Sequence, residues 1–117
     1  DPYQCYCQKT TRLMKEKFLD FEIQTTFQSR FGPREWLKPY TDKTLENLPK
    51  EGIKNILVIC PGFASDCVET LEEINIQGKE SFLENGGRNF DLIPCLNDNS
   101  DHIKLFETLV KRYLVKK

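Results

Sequence analysis

Five residues, Ile56-Leu57-Val58-Ile59-Cys60, form an unbroken apolar run between Lys54-Asn55 and Pro61-Gly62. The run is too short for a helix, rich in β-branched side chains and free of alternation, which predicts a strand covered on both faces. The flanking segments are read around that strand. Asp1 can cap a helix whose first position is Pro2, with Cys7, Thr10, Met14 and Phe18 recurring at helical spacing to about residue 19. Phe21, Ile23, Thr25 and Phe27 then alternate with Glu22, Gln24 and Thr26, the period-two pattern of a strand.

After a loop broken by Gly32, Pro33 and Pro39, Thr41 or Asp42 caps a short helix ending at Gly52. Ser65 and Asp66 cap a helix that runs to Gly86-Gly87, with Asp66 and Glu69 at capping-box spacing. Gly78 inside it predicts a bend or local irregularity. Residues 89–94 read as a third strand, and Asn99 or Ser100 opens a last helix with Ile103, Phe106, Val110 and Tyr113 inward. Helices alternating with strands predict an α/β fold: a parallel sheet flanked by helices on both faces, in three layers, over a single domain of residues 1–117.

Ligands of such sheets bind beyond the carboxyl ends of the strands, which places the functional loops at residues 28–36, 61–66 and 94–99. Seventeen basic against eighteen acidic side chains leave a formal charge of -1, so no positive field for nucleic acid exists and nucleic acid is excluded as a partner. The longest apolar stretch, within residues 56–64, falls far short of the ~20 residues that span a bilayer, so no transmembrane segment is expected. Five cysteines, an odd number without C-x-x-C spacing, favour a reducing compartment over a disulfide framework. Cys5-x-Cys7 is better read as two helix thiols than as half a metal site, and His102 as a surface or capping residue. The start, Asp1-Pro2-Tyr3, reads as an interior cut or a processed end.

Two constellations carry chemistry. Asp66, Glu69, Glu73, Gln77 and Glu80 share a narrow sector when plotted at about 100° per residue, opposite Val68, Leu71, Gly78 and Phe82. A solvated charged face is the plain explanation, and first-turn carboxylates also satisfy a helix dipole. At the carboxyl edge of a sheet the same row can take up protons or pass along a hard cation. Gln28-Ser29-Arg30, with Phe31 and Trp36 in the same loop, suits an apolar planar ligand with polar edges; the alternative is that Trp36 anchors the loop on the core.

These residues carry a family resemblance. Residues 28–42, QSRFGPREWLKPYTD, resemble the ferrochelatase segment Q-S-[RK]-x-G-x-x-x-W-L-x-P-x-T-D, and residues 61–74 resemble its F-x-[SA]-[DE]-[HC]-x-E-T-L-x-E segment. Pro94-Cys95-Leu96-Asn97 and Asp1-Pro2-Tyr3 agree as well, so the likeness covers essentially the whole chain. The resemblance implies the carboxy-terminal half of a bacterial-type ferrochelatase, with a chelatase-like domain that inserts ferrous iron into protoporphyrin IX. It implies Glu69 as the catalytic carboxylate and Glu69, Asp66 and Glu73 as a path for metal or protons. Ser29, Arg30, Trp36 and Phe63 would border the porphyrin. It also implies an amino-terminal half of the same enzyme as partner, because the family's catalytic histidine lies in an S-x-H-[GS]-x-P segment absent here. No resident cofactor and no iron-sulfur cluster are expected, and the protein is placed in the cytoplasm, free or peripheral at a membrane. Cys67 departs from the histidine of many relatives. Two other readings stand beside this one: a self-pairing small chelatase, and a ligand-binding α/β module in which Glu69 is replaceable.

Overall fold

The computed structural model describes residues 2–28 and 37–114. Its elements run α1 (Tyr3–Lys17), α2 (Thr41–Asn47), a 3-10 turn (Pro49–Glu51), β1 (Asn55–Val58), a π-helix (Glu69–Gly78), α3 (Lys79–Glu84), β2 (Asn89–Leu92) and α4 (Ser100–Tyr113). β1 and β2 pair in parallel, Asn55 opposite Asn89 and Val58 opposite Leu92, and the π-helix with α3 supplies the crossover that a parallel pair requires. The chain is an α/β protein with a parallel sheet and helices.

The core is built from one side of that pair. Leu45 of α2, Ile74 of the π-helix, Phe82 of α3, Phe90 of β2 and Cys60 are buried together, with Ile56 and Val58 of β1 packed against them. Alternate side chains of a strand point to opposite faces, so Leu57 and Ile59 face the other way and are 61% and 43% exposed. The double covering predicted for residues 56–60 is therefore not reached among the described residues, which cover one face.

Several local expectations change. The strand predicted over residues 21–27 is reduced, among the described residues, to an isolated parallel bridge between Phe27 and Tyr40. Phe27 N–H donates to the Pro39 carbonyl at 2.9 Å and Thr41 N–H to the Phe27 carbonyl at 3.0 Å. Alternation gave that segment its pattern, but Phe21 stands exposed, with its ring edge-on to Phe18 and not in the core. α1 buries no residue, and Ile103, Phe106, Val110 and Tyr113 of α4 are exposed instead of inward. The cap of α4 is as predicted, since the Asn99 side chain accepts from Asp101 N–H.

The irregularity predicted near Gly78 extends through a ten-residue π-helix. Hydrogen bonding from i to i+5 widens each turn. Its buried stripe consequently falls on every fourth residue, Thr70, Ile74 and Gly78, and passes into Phe82. Val68 and Leu71, placed on the inner face by α-helical spacing, rotate outward and are exposed. α3 stops at Gly86, whose φ of 106° is open to glycine and strained for other residues.

Candidate active site

The loops after β1 and β2 meet at the carboxyl edge of the sheet, where Asp66 and Asn97 bond to each other. Gln28, the last described residue before position 37, turns its side chain inward. Its Nε2 donates to the Glu69 carbonyl at 3.1 Å, and its Oε1 accepts from the Cys60 thiol at 3.9 Å. One amide thus ties the start of the π-helix to the end of β1.

Asp66 is bound on every side. Its carboxylate accepts from Thr70 Oγ1 at 2.9 Å, from Cys95 N–H at 3.2 Å and from Asn97 Nδ2 at 2.9 Å, while its own N–H donates to Asn97 Oδ1 at 2.8 Å. The Asn97 amide above all, helped by the Thr70 and Cys95 donors, holds the Asp66 carboxyl below the usual carboxylate range against desolvation, which opposes it more than any one of those lesser hydrogen bonds contributes. The capping box predicted for Asp66 and Glu69 takes another form: Thr70 Oγ1 accepts from Cys67 N–H at 3.0 Å.

Glu69, half-buried, opens the π-helix. A hydrogen bond from the Cys67 thiol, with a smaller one from its own N–H, holds its carboxyl below the ordinary glutamate range. It is therefore ionised at neutral pH. Glu73 follows four residues on, also half-buried, and with Glu72 and Gln77 forms one wall of an open cleft of about 680 Å³ whose other wall is Asp42, Lys43 and Glu46 of α2. That volume lies within the range of small-molecule sites, yet Glu69 does not line the cleft. The carboxylate row thus reaches two surfaces, with Glu69 at the loop edge and Glu73 over the cleft.

Phe63 is half-buried and packs on the core cluster. Ser29, Arg30 and Trp36 lie outside the described residues. Desolvation first pushes the Cys60 and Cys95 thiols up to about 11, helped at Cys60 by the negative charge of Asp66 and at Cys95 by a hydrogen bond to Asp66.

Three supporting residues escaped sequence reasoning. Thr70, fully buried, lies four residues after Asp66, a spacing that allowed the contact without demanding it. Asn97 depends on the folding together of two loops, which no spacing records. His102, read as surface or capping, is 7% exposed, with Nδ1 at 2.7 Å from the Asn97 carbonyl and its ring against Phe106. Its position in the first turn of α4, beneath the loop from β2, buries it.

The ferrochelatase family model matches residues 1–114. A ferrochelatase of Rhizobium etli (strain CIAT 652) is 58% identical over 116 residues, covering 97% of this chain and 34% of the relative. One from Rhizobium johnstonii is 59% identical over 116 residues with the same coverage, and one from Brucella ovis is 53% identical over 117 residues, covering 98% of this chain and 33% of the relative. The chain spans about a third of the length of the curated relatives it matches. With the motif of residues 61–74 following β1 of a parallel pair and a family match over nearly every residue, the chain belongs to the ferrochelatase family.

Proposed function

We propose that the protein carrying this chain is a lyase of heme biosynthesis that inserts ferrous iron into protoporphyrin IX. In forming protoheme, a doubly charged ion replaces two pyrrole protons, so the site must attract a cation and accept two protons. The observation that carries this reading is Glu69, whose carboxyl is held below the ordinary glutamate range just beyond the carboxyl edge of the sheet, within the segment that matches the family. Glu69 faces the reacting nitrogens, and Glu73 extends the negative row by which the ion or the released protons move. Asp66, whose carboxylate already accepts from three donors, holds the loop end of that row. Phe63, Ser29, Arg30 and Trp36 border the flat macrocycle in this reading.

The opposing proton acceptor belongs to the remainder of the protein, which is consistent with a chain one third the length of its relatives. No helix among the described residues is long and apolar enough to cross a membrane, and the reading places the protein in the cytoplasm or at a membrane surface. The test is zinc insertion into a soluble porphyrin by the full-length protein, followed by fluorescence, with Glu69→Gln beside it. Zinc avoids oxidation of iron. Insertion by the wild type that falls at least about a hundredfold in the variant supports the assignment. Equal rates would show that Glu69 has no part in the chemistry.

A further inference from the structure

Asn97 spends all four of its polar groups on contacts to the loop after β1 and to α4. Its N–H donates to the Ala64 carbonyl at 3.0 Å, its Nδ2 donates to Asp66 Oδ2, its Oδ1 accepts from Asp66 N–H, and its carbonyl faces His102 Nδ1 at 2.7 Å. A carbonyl only accepts, so His102 carries its proton on Nδ1 and donates it. The Asn97 backbone is left-handed, with φ of 49°, a conformation asparagine adopts more readily than most residues. Beneath it the imidazole is buried and packed on Phe106, ring centres 4.4 Å apart.

We infer that Asn97, seated on His102, is a positioning residue that fixes Asp66 and, through it, the approach of Glu69 to the reacting centre. The inference rests on the chelatase reading for its catalytic consequence. Two hydrogen bonds in opposite directions hold both the main chain and the side chain of Asp66, which a single contact does not do. From Asp66 the restraint passes to Thr70, whose hydroxyl donates to Asp66 Oδ1 and accepts from Cys67 N–H. Residues 66–70 are thereby pinned at both ends, with Glu69 between. Asp66 serves here as an anchor for the row and not as a ligand in it.

The test uses the full-length protein with zinc and a soluble porphyrin, and compares Asn97→Ala, His102→Leu and His102→Asn. Loss of position without loss of a reacting group lowers kcat about tenfold or more while the porphyrin KM stays within about twofold, because misplacement of a catalytic group by a fraction of an ångström is costly. His102→Leu behaves as Asn97→Ala. His102→Asn, which can present an N–H where Nδ1 stands, recovers most of the rate. Hydrogen–deuterium exchange gives a readout independent of activity: residues 63–70 exchange faster in Asn97→Ala and His102→Leu, while residues 89–92 do not change. The inference is overturned if His102→Asn is as impaired as His102→Leu, if kcat is unchanged in both disruptive variants, or if exchange rises equally in both segments. A wild type that inserts no metal would remove the chelatase reading, and exchange alone would then decide whether the clamp exists.

Discussion

Leu45 Cδ1 lies 2.8 Å from the point that a Cβ on Gly78 would occupy, so the glycine of the π-helix and the leucine of α2 share one space. A methyl group there must displace Leu45 or the Glu73 carbonyl, which would stand 3.3 Å away. Gly78→Ala should lower stability by up to about 2 kcal/mol, because overpacking usually costs about 1–3 kcal/mol and helix propensity returns ~1 kcal/mol of that. Leu45→Ala opens a cavity and should cost about 2–5 kcal/mol. In the double variant the new methyl enters the space that Leu45 left, so the combined loss should be smaller than the sum. Urea unfolding of the four proteins measures this, and strict additivity would disprove the shared space.

The pH dependence of insertion should follow the Cys67–Glu69 contact. A carboxyl held below its ordinary range stays charged above its lowered pKa and loses that charge as pH falls through it. Cys67→Ala removes the principal donor, so the Glu69 pKa rises and the acid limb of the rate profile moves to higher pH. Cys67→Ser keeps a hydroxyl donor and should leave the limb near its original place. Rates of zinc insertion between about pH 3 and 6 bracket the glutamate range. Superimposable acid limbs for wild type and Cys67→Ala would mean that the thiol does not set the charge of Glu69.

Thiol labelling should separate the cysteines by environment. With the thiols of Cys60 and Cys95 pushed up to about 11, only about one in a thousand is thiolate at pH 8, and the thiolate is the nucleophile. Iodoacetamide should therefore modify exposed Cys5 first and Cys60 and Cys95 last, as read by mass spectrometry of timed digests. Early modification of Cys60 would show that the core around Gln28 and Ile74 opens readily.

What the sequence made legible followed from local pattern. The apolar run at residues 56–60, the Asn99 cap and the glycine stop at Gly86 each rest on chemistry within a few neighbours, and β1, α4 and the end of α3 lie where that chemistry puts them. Glu69 was singled out by motif and position together, and its role is the proposal made above. The π-helix was not legible, because its widening depends on Thr70, Ile74 and Gly78 packing against elements distant in the chain. Gly78 marked the site of trouble without showing its extent. Asn97 and His102 were missed for a similar reason, since their partners are set by the meeting of two loops. The strand over residues 21–27 failed from the opposite cause: a clean alternation, with no neighbouring strand among the described residues to use it.

The side of β1 that the described residues leave uncovered has a practical meaning for anyone handling the chain by itself. Leu57 and Ile59 lie on the face away from the core, and with the exposed apolar residues of α4 they leave the 117-residue piece with much greasy surface in water. Such a piece tends to adhere to itself and to flat hydrophobic dyes, porphyrins among them. Colour or fluorescence gained by the isolated chain is therefore a measure of stickiness until a substitution at Glu69 separates adsorption from chemistry.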